Sequence, residues 1–330
     1  MTDVRPRSSR YTATRDVTLG HVIVIACPGQ GSQTPGFLAP WLELPGLREH
    51  LDSWSEAAEV DLATHGTTSD EETIKDTAIA QPLLVGAGLL ALRALNGGDA
   101  GAPTATGAIA GHSVGELTAT AGAGVLGETD AIRLVGLRGR AMADASAVTP
   151  TGMSAVLGGD PDEVLAAIAR HGLTPANVNG AGQVVAAGAL EALGALAAEP
   201  PTRARVIPLK VAGAFHTSYM QPAVDALAAA AADLSPADPA VPFVSNRDGE
   251  VVTAGREILD RLVAQVSNPV RWDLCMDRFA DLGVTALIEL PPAGTLTGLA
   301  KRALKGVELL AVKTPDDLDA ARTLIEEHTA

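Results

Sequence analysis

The stretch ATGAIAGHSVGELTATAGAGVL, residues 105 to 126, constrains this chain more than any other. A short apolar run, then Gly-x-Ser-x-Gly, then an apolar run of helical composition read as a strand, a tight elbow and a helix. Gly111 and Gly115 flank Ser113 because such a turn leaves no room for side chains at those places. The elbow turns the serine hydroxyl outward, and the following helix aims its free N–H groups and positive dipole end at whatever the serine attacks. An elbow of this type stands on a parallel sheet. HVIVIAC, residues 21 to 27, supplies a second strand and runs into PGQGSQTPG. Stretches 48–60 and 79–95 read as amphipathic helices, and a further helix is expected from Thr129 to Ala145. Strands and helices alternating at this spacing imply an α/β fold with a parallel sheet.

Residues 149–210 change character. TGMSAVLG is strand-like, DPDEVLAAIARHG is a helix with an acidic first turn, and LTPANVNG and QVVAAG are strands. ALEALGALAAEP is a helix and RARVIPLKV a last strand. That order, βαββαβ, is the ferredoxin-like arrangement. The expected organisation is therefore a large α/β domain from 21–148 plus 211–330, with a small ferredoxin-like domain at 149–210 inserted into it. Residues 1–20 hold four arginines and no apolar period, and are read as a disordered extension.

Composition narrows the function classes. A net charge of −15 argues against nucleic acid as a partner. The longest apolar run, PLLVGAGLLALRAL, is read as too short for a membrane span and carries Arg93, so no membrane is expected. Two cysteines, Cys27 and Cys275, fit a reducing compartment better than a disulfide framework, and a cytoplasmic location is expected.

A nucleophilic serine needs a base, and the chain has seven histidines. His112 adjoins Ser113, so its ring leaves the elbow in another direction and is read as bracing the turn. His216, in the apolar loop KVAGAFHTSYM just after the inserted segment, sits at a domain junction, where clefts form. The acids between Ser113 and His216, such as Asp144, Asp160, Asp162 and Glu163, read as caps or surface residues, and none stands out as a third member of a triad. Asp248 falls in VPFVSNRDGEVVT, which reads as a hairpin with a turn glycine. VAQVSNPVRW offers Gln265 and Asn268 as neutral partners for a histidine.

The helix TDAIRLVGLRGRAMADA carries an arginine on its apolar face. At about 100° per residue, Ala131, Val135, Met142 and Ala145 form one stripe with Arg138 in its middle. Arg133, Arg140 and Asp144 gather opposite, with Arg140 and Asp144 at the favourable spacing for an ion pair. An inward guanidinium is costly unless paired. It is read either as a buried ion pair or as a clamp that grips a substrate carboxylate with two parallel hydrogen bonds. With an active serine, the second reading implies an acyl group bearing its own carboxylate, as malonyl does. PGQGSQTPG fails as a dinucleotide loop because Thr34 stands at the third glycine, and it lacks the lysine of a P-loop. It remains a tight loop whose backbone could place an N–H near Ser113, beside that of Val114, to hold an oxyanion.

Taken in order, PGQGSQ, GHSVGE, RLVGLRGRAM, GAFH and QVSNPVRW resemble the malonyl-CoA:acyl-carrier-protein transacylases over nearly the whole chain from about residue 21. The resemblance implies a hydrolase-like α/β domain with a ferredoxin-like insert. It also implies transfer of malonyl from a coenzyme A thioester to the phosphopantetheine thiol of acyl carrier protein, for fatty-acid and polyketide synthesis. It implies Ser113 as nucleophile, His216 as general base and acid, Gln265 as the residue that positions His216, and Gln30 and Val114 as oxyanion-hole donors. It further implies Arg138 as carboxylate clamp, Asn179 as a cleft residue, and Phe215 as the residue that excludes an α-methyl group. No metal or resident cofactor is expected, and the chain is expected to act as a monomer. Because acyl carrier protein is acidic, docking calls for a local basic patch, with Lys301, Arg302 and Lys305 or Arg203, Arg205 and Lys210 as candidates.

Overall fold

The computed structural model describes residues 22–328, so the expected extension at 1–20 lies outside the described residues. In chain order the strands are β1 (Val22–Cys27), β2 (Ala108–Gly111), β3 (Thr151–Gly158), β4 (Thr174–Gly180), β5 (Gln183–Ala189) and β6 (Ala204–Pro208). There follow β7 (Phe243–Val244), β8 (Val251–Val252), β9 (Val270–Arg271), β10 (Val284–Glu289) and β11 (Glu308–Ala311). They form two sheets.

The larger sheet has the order β11-β10-β1-β2-β7-β8. Its pairs are parallel except for the terminal β7–β8 hairpin. Alternate residues of β1 enter two separate cores: Ile23, Ile25 and Cys27 one, Val24 and Ala26 the other. A strand covered on both faces needs apolar residues throughout, which is why VIVIAC shows no polar alternation. The carboxyl ends of β1 and β2 lie side by side, with Cys27 registered on Gly111. The loop after β1 and the elbow after β2 therefore meet at one edge of the sheet, where α/β proteins bind their ligands.

The smaller sheet has the order β6-β3-β5-β4-β9. Strands β3 to β6 pair antiparallel, with helices Pro161–Arg170 and Leu190–Ala198 as crossovers, giving the ferredoxin-like order. Its fifth strand was not expected. Val270–Arg271 comes from the QVSNPVRW segment and pairs parallel with Asn177 and Val178 of β4. The segment that follows Gln265 thus binds the small sheet to the large one.

The helices place the remaining parts. Leu47–Ala58 is amphipathic as expected, burying Leu47, Leu51, Trp54 and Ala58. Thr77–Leu95 is not: an unbroken run from Ala80 to Leu92 is buried. It is long and apolar enough to cross a membrane, yet it lies inside the protein core, packed along the long helix Glu128–Val148. That long helix buries Ala131, Val135, Arg138, Met142 and Ala145 on one stripe, as the period implies. Arg140 does not pair with Asp144. It reaches the carbonyl of Ala58 at 2.7 Å and Glu59 at 3.0 Å, because the neighbouring helix ends beside it.

Candidate active site

The elbow has the geometry its glycines imply. A Cβ on Gly111 would overlap the backbone of Gly115, and one on Gly115 would overlap the carbonyl of Cys27. Between them Ser113 is held at φ +53°, a left-handed conformation that a non-glycine residue adopts at a cost. The first turn of helix Gly115–Gly122 begins there. His216 reaches the same place from the loop after β6, also with positive φ, at +60°.

Ser113 Oγ and His216 Nε2 are 2.7 Å apart. His216 Nδ1 lies 2.8 Å from the backbone carbonyl of Gln265, an oxygen that can only accept. The proton is therefore on Nδ1, and Nε2 is left free to accept the serine proton. Burial first, and the nearby Arg138 charge second, push the imidazole pKa down to about 3, so the ring is neutral at pH 7 and Nε2 keeps its lone pair.

Gln265 stands against His216 as expected, with a different atom from the one its amide suggested. Its main chain, not its amide, orients His216. The side chain serves elsewhere: Nε2 donates to the Ser113 carbonyl at 3.0 Å and to Glu116 Oε2 at 2.6 Å, and Oε1 accepts from Arg138 Nη2 at 2.9 Å. The alternative, Asn268, turns its amide to the carbonyl of Ala264.

Arg138 is 2% exposed and, among the described residues, has no carboxylate hydrogen-bonded to it. Its other bond runs from Nη1 to Gln81 Oε1 at 2.6 Å. Burial lowers its pKa to about 10, still far above neutrality, so it is a charged guanidinium held by two neutral amides. Glu116 is the buried carboxylate nearest in the network, one amide away through Gln265. Its Oε1 accepts from Asn246 N–H at 2.6 Å, while Asn246 Oδ1 accepts from the Ser113 N–H at 3.1 Å. Burial raises the Glu116 carboxyl to about 7 despite these bonds. Gln81, Glu116 and Asn246 escaped the sequence reading. Gln81 lies in an apolar helix and Asn246 at a hairpin, and only Glu116, adjoining the serine motif, stood within a recognisable pattern.

His112 makes no hydrogen bond to the serine hydroxyl among the described residues. Its Nε2 faces Asn179 Oδ1 at 2.9 Å and its ring packs edge-on to Trp272 at 5.7 Å. It ties the elbow to β4, which places Asn179 on the cleft wall as a partner of His112. Of the acids weighed between Ser113 and His216, Asp160 caps the helix that follows it.

A cavity of about 200 Å³ opens over Ser113 and His216, walled by Gln30, Asn179 and Phe215 among others. A larger one of about 540 Å³ adjoins it, sharing Gln30, Leu209, Val211 and Phe215 and reaching Lys210 and Lys75. The backbone N–H groups of Gln30 and Val114 donate to no protein acceptor among the described residues. Arg138 is on the wall of neither cavity. It connects to them through Gln81, whose Nε2 makes a long 3.3 Å bond to Gln30 Oε1.

A serine hydroxyl bonded to a neutral, backbone-oriented imidazole, beside free N–H groups, is equipped for acyl transfer. Residues 24–324 match the acyl transferase domain family. The chain belongs to that family. Malonyl CoA-acyl carrier protein transacylase of Mycobacterium tuberculosis is 53% identical over 309 residues, covering 92% of this chain and 100% of that protein. The protein of the same name from Escherichia coli is 36% identical, covering 90% and 97%. The crystal structure of the acyl transferase MCAT from M. tuberculosis superposes with a TM-score of 0.86, over 92% of this chain and 100% of that one. An acyl transferase solved as a complex, a malonyl-transacylase with its type II PKS acyl-carrier protein, is 32% identical with a TM-score of 0.83, covering 92% and 99%.

Proposed function

We propose that this acyl transferase moves a malonyl group from malonyl-CoA to the phosphopantetheine thiol of acyl carrier protein through an acyl-enzyme on Ser113. The observation that carries the reading is the 2.7 Å contact between Ser113 Oγ and His216 Nε2, in a chain whose relatives are named for that reaction.

In the first half-reaction Oγ attacks the thioester carbonyl while Nε2 takes its proton. The developing oxyanion is received by the N–H groups of Val114 and Gln30. The imidazolium so formed is stabilised by the Gln265 carbonyl on Nδ1, which disperses charge without adding a carboxylate. The proton passes to the departing coenzyme A sulfur. In the second half the carrier thiol takes the place of coenzyme A and the same steps run in reverse. The malonyl carboxylate pairs with Arg138. To reach it, the acyl group parts Gln81 from Gln30, whose bond is long at 3.3 Å. Phe215, 6% exposed on the cavity wall, fills the space an α-methyl would need.

At least one member of each basic patch stands on a segment that also lines a cavity. Lys301 and Arg302 are exposed on the helix that also carries Thr295 and Leu299 into the inner cavity, and Lys210 lines the outer one. Either can meet an acidic carrier. The proposed steps call on no metal or resident cofactor, and we propose a monomer. Two buried, unpaired thiols, Cys27 and Cys275, suit a reducing cytoplasm.

The test is intact-mass analysis after mixing with malonyl-CoA. One malonyl adduct, absent in Ser113→Ala and discharged by carrier protein faster than by water, is expected. Steady hydrolysis without transfer would make the protein an esterase.

A further inference from the structure

A third cavity of about 330 Å³, the rear cavity, shares no lining residue with the other two, and the transfer reaction does not use it. Glu116 and Gln265 line it, together with Arg247, Arg261 and Arg271. Glu116 is 1% exposed, and its carboxylate bonds Gln265 Nε2 at 2.6 Å, whose Oε1 in turn bonds Arg138 at 2.9 Å. One amide thus separates the buried guanidinium from a buried carboxyl. Two opposite charges at that separation in a protein interior stabilise each other, and a second anion at the guanidinium weakens the hold on the first.

We propose that Glu116 is the exchangeable counter-charge of the carboxylate subsite: it is ionised while Arg138 holds no substrate, and takes up a proton through the rear cavity when the malonyl carboxylate binds. This rests on the malonyl-transfer reading. A carboxyl already raised to about 7 by burial needs only a modest further push to protonate near neutral pH. The other charged groups about it leave room for this. Arg261 is engaged by Asp248 at 2.7 Å and Glu257 at 2.8 Å, and Arg271 by Asp273 at 2.8 Å. Arg247 is exposed to solvent. The Cys275 thiol, which feels the Glu116 charge, is held protonated by burial, and His216 is neutral. Glu116 touches no reacting atom; it balances charge.

Acylation itself is proton-neutral below the thiol pKa, since the serine proton leaves on coenzyme A sulfur. Any proton counted per adduct therefore reports linkage. The experiment mixes the whole enzyme with malonyl-CoA or acetyl-CoA in weak buffer with a pH indicator, and counts protons per Ser113 adduct by mass. From a starting value of about 7 and a push of about one unit, the malonyl adduct should take up about 0.4 of a proton at both pH 7 and pH 8, the acetyl adduct almost none. Glu116→Gln should abolish the malonyl uptake. A full malonyl adduct without uptake, equal uptake with acetyl, or uptake that survives in Glu116→Gln overturns the proposal. Absence of any malonyl adduct overturns the transfer reading instead. If Glu116→Gln does not fold, the malonyl–acetyl comparison in the natural protein decides alone.

Discussion

Truncating Gln265 to alanine separates the two roles its residue holds. The variant keeps the backbone carbonyl that orients His216 at 2.8 Å, but loses bonds to Arg138, Glu116 and the Ser113 carbonyl. Two of the three involve charged groups, each worth about 1.5–3 kcal/mol, and the third about 1 kcal/mol. Gln265 borders the rear cavity, so water can replace part of this, and a stability loss of about 2–4 kcal/mol is expected. For catalysis, Arg138 keeps only Gln81 and is free to turn. Malonyl transfer should fall by about one charged hydrogen bond, 1.5–3 kcal/mol, or roughly 10- to 150-fold in kcat/KM. Acetyl transfer uses the same base and no clamp, and should fall less than about tenfold. Arg138→Ala should show the same contrast between the two acyl groups. The assay is single-turnover acylation of Ser113 by each thioester, with denaturant unfolding to confirm that the variant is folded. A loss of more than about 100-fold for both acyl groups would return the orienting role to the side chain and refute the assignment to the backbone.

Four further outcomes follow from the same geometry. Phe215→Ser should lower discrimination against methylmalonyl-CoA by about 10- to 200-fold, the worth of one methyl in a pocket, and unchanged selectivity would remove Phe215 from that role. Ser113→Gly should be more stable than Ser113→Ala by about 1 kcal/mol in urea, since both lose the hydroxyl and only glycine accepts φ +53° without strain. Reversing Lys301 and Arg302 to glutamate should raise KM for the carrier protein alone, with KM for malonyl-CoA as the internal control. The folded pKa of Glu116 lies above its unfolded value of 4.5, so its contribution to stability is fully present below pH 4.5 and is lost as pH rises to about 7. Glu116→Gln should therefore gain about 1–3 kcal/mol relative to the natural protein between pH 5 and pH 7.5, read by denaturant unfolding at the two pH values.

The local parts of the site could be read directly because each imposes a rule on neighbouring residues. Gly111 and Gly115 announce the elbow, for nothing larger fits against Gly115 and Cys27. Arg138 declares its direction because a helix repeats every few residues, and its stripe is otherwise apolar. His216 stood out by its apolar loop, and the βαββαβ order of the insert by its alternation. Less visible were the residues whose importance comes from a distant partner. Gln81 sits in a run of leucines, alanines and glycines and looks like an exception to be buried at some cost, until Arg138 is found bonded to it. The fifth strand of the small sheet is two residues long, too short to show a period.

The sequence by itself placed Ser113 on an elbow, His216 in an apolar loop beside the inserted domain and Arg138 on the apolar face of its helix, since strand and helix periods, loop composition and the glycine pattern act within a few residues. Only the tertiary structure decided how they are held: that a main-chain carbonyl orients the histidine, and that one glutamine amide bridges a buried arginine to a buried glutamate. A backbone carbonyl is common to every residue, so no side-chain pattern singles out the one beside His216. A charge network spanning Gln81, Glu116, Arg138 and Gln265 exists only once four separate elements have packed.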